Sequence, residues 1–478
     1  MTAPQMATPG WSDLVHSGRF GQVVLIAFGV WLHAADELMV STITPVMVAE
    51  IGGGRYLAWL TALYEIGSIV AGAMAALLVL NLGLRRTMAG AAFVYLAGCL
   101  VSGMAPTMEI MLAGRLLQGL GGGAMVATAF VAVHRILPDA LTARVYATIS
   151  LVWGASAFSG PMIGAVFAEF GVWRWGFLFY AAQAACFGAV ALLRLEEGEA
   201  GAAAKTALHI PWRIALLAGG ALCVAFAGVE PAPLRAAAFI IAGIALIAAF
   251  LYRDAIAPAA SRMLPPSAWN IARPAGAAIV MVVFLSAATT ALITYGPVAM
   301  AHLHGLTAIE AGAILLLESI GWSVVSIAVA GLAEGRHRQA IAAGFLIACA
   351  AILALAFAMP FGPVALIAAA AFCMGGGFGM AWAFMVRLAT KLVPDGERER
   401  MASAIPTTQR LGYALGAAFA GILANATGFA EQASEAAIRH STIAIYAGAI
   451  FPAAIGLVAM ARLLAFRRPG ETAGNRSA

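Results

Sequence analysis

The chain is a succession of apolar runs separated by short polar interruptions, and most runs reach the roughly 20 residues a helix needs to cross about 30 Å of hydrocarbon. In that medium only helices or closed barrels satisfy their backbone hydrogen-bonding groups, and runs of this length exclude barrel strands. The chain therefore reads as an all-α membrane protein. Its composition agrees: 63% of residues are hydrophobic and 10% charged, where a soluble domain carries roughly 25% charged residues.

The runs predict fourteen transmembrane helices, at 20–49, 56–80, 87–104, 108–133, 144–168, 175–194, 214–229, 234–251, 275–300, 309–331, 339–359, 362–386, 401–425 and 441–465. The two short runs at 214–251 meet at Glu230-Pro231-Ala232-Pro233. Two close prolines cannot continue a helix, so this segment reads as a helical hairpin with an outer turn, the alternative being an inner-surface linker. Six helices flank it on each side. The expected organisation is an N-terminal six-helix half (1–200), a central linker with the hairpin (201–270) and a C-terminal six-helix half (271–478).

The halves resemble each other. GLGGGA (Gly119 to Ala124) in the fourth helix of the first half corresponds to MGGGFGM (Met374 to Met380) in the fourth of the second. The loops after each second helix carry NLGLRR (Asn81 to Arg86) and GLAEGRHR (Gly331 to Arg338). Repeated six-helix halves are the footprint of a transporter with its site where the halves meet.

Arginines and lysines set the topology. Placing both termini in the cytoplasm leaves only Arg55, Arg174, Arg235 and Arg439 in outer loops and puts Arg115 and Arg410 inside helices, with the rest of the 27 basic residues on the inner side. The net charge of +5 is thus loop topology and not a nucleic-acid surface. The segment before Phe20 has no signal-peptide core, so insertion is expected to start from the first helix. The five cysteines lie in apolar segments without CxxC spacing and read as packing residues, with no metal site implied. Phosphate-loop and hydrolase motifs are absent in supporting contexts, which argues against an enzyme or an ATP-driven pump.

Charges inside the runs mark candidate sites, because an ionisable group at that depth costs several kcal/mol without a partner or water. The first helix carries His33, Asp36 and Glu37 in WLHAADELMV, the second Glu65, the fourth Arg115 beside its glycine ladder, and the tenth Glu318 in ILLLESIGW. Burial favours the neutral form of a carboxylate and a neighbouring arginine favours the charged one, so a carboxylate subject to both can exchange protons. Asp36 and Arg115 lie at compatible depths. They fit a proton-coupling and cation-binding cluster with Glu37, Glu65 and Glu318, or a static pair that fixes helix packing. Trp31, His33, Tyr64, Trp153, Trp322 and Arg410 are candidates to line the cavity. Trp382 also falls inside a helix, whereas Trp59, Trp173, Trp175, Trp212 and Trp269 lie near helix ends and read as interfacial anchors. Gly119, Gly121, Gly160, Pro161 and Gly164 are expected to allow close helix approach and bending.

Several motifs resemble the major facilitator superfamily, and specifically its 14-helix drug:proton antiporter branch. GRLLQGLGGGA (Gly114 to Ala124) is similar to the family's fourth-helix motif, SGPMIGA (Ser159 to Ala165) to its fifth-helix antiporter motif, and WRWGF (Trp173 to Phe177) to the phrase opening its sixth helix. Asp36 with Pro45, Trp59 with Tyr64, and QRLGYALGAA (Gln409 to Ala418) extend the likeness over most of the chain. The chain departs from the pattern at Leu80, where the family has an aspartate, at Gly164-Ala165 in place of a glycine pair, and in the order Gln409-Arg410. The resemblance implies that Asp36 and Arg115 belong to the proton and substrate pathway and that Gly160-Pro161 seals or hinges the first half.

The expectation is a proton-coupled secondary transporter that exports small amphipathic, cationic compounds by alternating access. It would sit as a monomer in a bacterial-type inner membrane, with protons, lipid and a small-molecule substrate as partners. Its energy would come from the proton gradient, without a bound cofactor. Alternatives are a dedicated carrier for one metabolite or siderophore-like compound and, from another class, a non-transporting membrane sensor or scaffold.

Overall fold

The computed structural model describes residues 18–137, 139–197, 212–229, 232–429 and 434–466. Glu230 and Pro231 of the expected hairpin turn, most of 201–212 and the C-terminal Arg467 and Arg468 lie outside them.

The described residues form an all-helical fold. The helices are α1 (Phe20–Ile51), α2 (Leu57–Leu82), α3 (Leu84–Gly103), α4 (Met108–Ile136), α5 (Asp139–Glu169), α6 (Arg174–Arg194), α7 (Arg213–Phe226), α8 (Pro233–Ala255), α9 (Pro274–His304), α10 (Ala308–Val329), α11 (His337–Phe361), α12 (Val364–Leu392), α13 (Arg398–Ala426) and α14 (Glu435–Ala465), the last interrupted at Ala449. Twelve candidate spans are long and apolar enough to cross a bilayer. The remaining two helices explain the difference from fourteen. At 14 residues α7 is short, and α13 mixes Arg398, Glu399, Arg400, Gln409 and Arg410 into its sequence.

The residues group into two compact units. Among the described residues, one unit draws on the ranges Met1–Met39, Gly67–Gly160 and Arg174–Trp212, the other on Val40–Ile66, Pro161–Trp173 and Arg213–Ala478. In the first, α3 and α4 pack backbone to backbone: a Cβ on Gly121 would strike Tyr95 N and lie 2.6 Å from Ala91 O. Gly67 approaches the α4 backbone at Leu116, Gly119 and Leu120 in the same way. In the second, the glycines of MGGGFGM seat α12 against its neighbours. Gly375 abuts the Glu318 carbonyl, Gly379 the Trp322 carbonyl and Gly377 the Gly344 carbonyl. Lipid tails provide no hydrophobic drive between helices, so such close approach is what holds them. Gly375→Ala is expected to cost about 1–3 kcal/mol through overpacking against backbone. Thermal unfolding in detergent or nanodiscs checks this, and an unchanged midpoint would show that the ladder is dispensable.

In both loops singled out in the sequence an arginine bonds to backbone at the end of a later helix. Arg85 Nε donates to the Leu195 carbonyl just past α6 at 2.8 Å. Arg338 donates to the carbonyls of Leu464 and Phe466 at the end of α14, at 2.6 and 2.7 Å. Each arginine thus satisfies carbonyls that a helix end leaves open. Leu80, in the last turn of α2, carries no charge, and a carboxylate arrives from elsewhere: Glu197 accepts from Arg85 N at 3.3 Å and lies against Gly83, whose φ of 86° suits glycine.

Within the second unit α7 and α8 pack through Gly220 and Gly243, and Asn425 of α13 donates to the Gly228 carbonyl. A buried ion pair, Arg213 to Asp254 at 2.8 Å, closes their far end, where Asp254 also accepts from Met263 N and Leu264 N. Two tryptophans expected as interfacial anchors are instead packed. Trp59 donates to Ala225 O and meets Phe226 edge-on. Trp173, 1% exposed, donates to Glu50 at 2.6 Å. Trp175 and Trp212 are exposed as an anchor requires.

Candidate functional site

The first unit brings Asp36 of α1 onto Arg115 and Gln118 of α4. The two α4 residues are three apart and therefore share a face. Arg115 Nη1 donates to Asp36 Oδ2 at 3.1 Å, and Gln118 Nε2 lies 3.1 and 3.0 Å from Oδ1 and Oδ2. Gln118 Oε1 in turn accepts from Arg115 at 3.3 Å and from Ser102 Oγ at 3.0 Å, while Cys99 Sγ lies 3.3 Å from Nε2. All of these side chains are buried. Taking two charges out of water is offset here by their attraction and by satisfied hydrogen bonds. Protonation of Asp36 would remove the negative charge beside Arg115, so one proton changes the electrostatics of the entire cluster.

Beside it, still on α1, His33 is fully buried with Nε2 3.8 Å from Glu37 Oε2, and its ring meets Trp153 edge-on at 6.2 Å. A Cβ at Gly122 would collide with His33 Nδ1. Trp31 donates to Gln183 of α6 at 3.1 Å. Gly160 lets the α5 backbone reach Ala35 and Leu38, one residue before and two beyond Asp36. These positions serve packing against the acid-bearing helix.

A further ion pair of the other unit joins α2 and α13. Arg410 Nη1 of α13 donates to Glu65 Oε2 of α2 at 3.0 Å, with the Glu65 side chain fully buried and that of Arg410 17% exposed. One turn from Glu65, Thr61 Oγ1 lies 3.5 Å from Thr294 Oγ1 of α9. Tyr64 is fully buried. The Pro161 carbonyl accepts from Thr42 at 3.0 Å. Gly164 is buried nearby in sequence on α5. Glu318 on α10 is half-buried and, among the described residues, has neither a hydrogen bond nor an ion pair. Trp322, one turn further, stacks on Phe378 at 6.0 Å and 13°.

Sequence reasoning thus found Asp36 with Arg115 and named Glu65 and Arg410 without joining them. It missed Gln118, whose spacing from Arg115 was the available signal, and the hydroxyl layer of Thr61 and Thr294.

Comparisons with known proteins agree on one family. A model of the Major Facilitator Superfamily matches residues 26–214 and 335–478. A probable multidrug-efflux transporter of Mycobacterium tuberculosis (strain ATCC 25618 / H37Rv) is 31% identical over 445 residues, covering 91% of this chain and 93% of that protein. Multidrug resistance protein 3 of Bacillus subtilis (strain 168) is 28% identical over 155 residues, 32% of this chain and 30% of that protein. Among solved structures, a bacterial homolog of the human lysosomal transporter Spinster, inward-facing and unoccupied, superposes with a TM-score of 0.67 at 13% identity over 93% of this chain and 98% of its own. A D-xylose-proton symporter gives 0.66 at 13% identity over 94% and 98%. At such identities the two structures speak for the fold alone.

Proposed function

The chain belongs to the Major Facilitator Superfamily, and on that premise we propose that it is a proton-coupled exporter of small amphipathic, cationic compounds, working by alternating access. The observation that carries the reading is the buried Asp36, held by Arg115 and Gln118 at distances of 3.0 to 3.1 Å. A carboxylate inside a membrane protein with a fixed cation beside it has two electrostatically distinct states, and those states are what a proton gradient acts on. Likeness to a probable multidrug-efflux transporter along nearly the whole chain supports efflux as the direction and small drug-like molecules as the cargo.

In this reading two six-helix halves flank the α7–α8 hairpin, with the divisions at 1–200, 201–270 and 271–478. Both termini face the cytoplasm of a bacterial-type inner membrane, the protein works as a monomer, and the proton gradient is the energy source without a bound cofactor. The Gly220–Gly243 packing supports α7 and α8 as a hairpin, and the excess of basic residues on one side supports the topology.

Proteoliposomes containing the wild-type protein and a pH-sensitive dye test the function. Adding a transported lipophilic cation is expected to drive proton movement opposite to the cation, and an imposed pH gradient to drive cation accumulation. Cation movement that ignores the pH gradient would remove proton coupling, and activity confined to one metabolite would favour a dedicated carrier.

A further inference from the structure

The spans hold carboxylates of unequal standing. Asp36 is paired with Arg115 and Glu65 with Arg410. Glu318 has no ion pair or hydrogen bond among the described residues and is half-buried. The internal repeat shows where a counterpart is missing. Glu65 and Glu318 each lie on the second helix of a half, and Arg410 precedes by two residues the first glycine of GYALG (Gly412 to Gly416) on α13. In the corresponding stretch of α5, GPMIG (Gly160 to Gly164), the residue two before the first glycine is Phe158, which carries no charge.

An unpaired carboxylate within a span is expensive, and it is retained where it has a charge to meet. The surroundings of Glu318 specify what kind. Trp322 lies one turn along the same face of α10. Gly375 and Gly379 bring α12 against the backbone at Glu318 and Trp322, which places the rings of Phe378 and Trp382 6.0 and 5.9 Å from that of Trp322. Trp322 and Trp382 are both half-buried, so each keeps surface that the protein does not cover. A carboxylate beside electron-rich indoles recognises an organic cation whose charge is spread over an apolar body.

We infer that Glu318, with Trp322 and Trp382, forms a docking site for monovalent lipophilic cations, while Asp36 carries the proton. This assignment rests on the proposed export of cationic cargo and deepens it by separating the cargo acid from the coupling acid. It also ties the glycine ladder of α12 to function, since that ladder sets the aromatic wall against the acid.

The test is equilibrium binding of tetraphenylphosphonium, and of neutral triphenylphosphine oxide as a control, to the full chain in nanodiscs without any gradient. Glu318→Gln is expected to weaken tetraphenylphosphonium binding about tenfold to a hundredfold, the effect of losing a contact to a charged group, with the neutral probe little changed. Glu318→Asp is expected to keep most of the preference for the cation. Retention of the neutral probe also reports that the variant is folded. Unchanged cation affinity in Glu318→Gln, equal losses for both probes, or a wild-type protein that does not prefer the cation would each overturn the assignment. Proton-driven transport is measured separately, so failure of the exporter reading appears as uncoupled transport and failure of this inference as an altered pattern of affinities.

Discussion

Asp36→Asn is expected to reduce proton-driven accumulation of substrate in proteoliposomes to the level of protein-free liposomes, with the protein still folded. The two halves of that expectation separate a proton site from a static ion pair. Asparagine is the neutral counterpart of protonated aspartate, and Gln118 and Arg115 can still contact its amide oxygen. If the working cycle passes through protonated Asp36, the fold must tolerate a neutral residue there. A pair whose task is only structural behaves differently, since removing one partner of a buried ion pair leaves the other uncompensated at a cost of about 3–5 kcal/mol. Thermal unfolding beside transport therefore decides the matter. Lost transport with an unchanged unfolding midpoint supports coupling through Asp36, lost stability of that size supports the static pair, and retained proton-driven transport removes Asp36 from the mechanism. Arg115→Ala sharpens the comparison, because Arg115 keeps its charge throughout the cycle and its loss leaves Asp36 buried without a guanidinium beside it.

The fold was legible because membrane helices announce themselves by length and hydropathy. Fourteen helices stand near the expected positions, and the two that fall short do so for readable reasons. The α7 run is barely long enough to span, and α13 combines charged residues at its start with Gln409 and Arg410 in its body. Burial was less legible. Trp59 and Trp173 sit near helix ends, where an amphipathic indole commonly anchors at the interface, yet each is packed and hydrogen-bonded inside the protein. Position along a helix gives depth in the membrane, and it does not give the direction a side chain faces.

The same distinction governs the site. Asp36 and Arg115 were joined from depth alone because each lies well inside its helix and the charges are opposite. Gln118 was passed over because a neutral amide carries no depth penalty comparable to that of an ion, although its place three residues after Arg115 put it on the same face. Glu65 and Arg410 are 345 residues apart, and nothing in either segment says that α2 meets α13. The repeat held partial information, since the matching loops marked α2 and α10 as second helices and so placed Glu65 and Glu318 on them. What it did not supply was that Glu65 would meet Arg410 of α13.

That long-range pair carries the second large effect. Arg410→Ala leaves Glu65 fully buried without its guanidinium and is expected to destabilise the protein by about 3–5 kcal/mol, while Glu65→Gln combined with Arg410→Ala removes both charges and recovers most of that loss. The resulting cycle measures the coupling directly, because the two side chains are in contact and their effects are not additive. Transport in the same variants then assigns a role. In the proposed alternating-access cycle the two halves of the sequence move relative to each other, and an ion pair between α2 and α13 would then be a contact that opens and closes. If the pair acts only as a latch, the double variant recovers transport along with stability. If Glu65 also binds a proton or cargo, stability returns and transport does not. A double variant as unstable as Arg410→Ala would mean that the loss arises from the packing of the arginine stem, and the pair would then have no standing as an electrostatic contact.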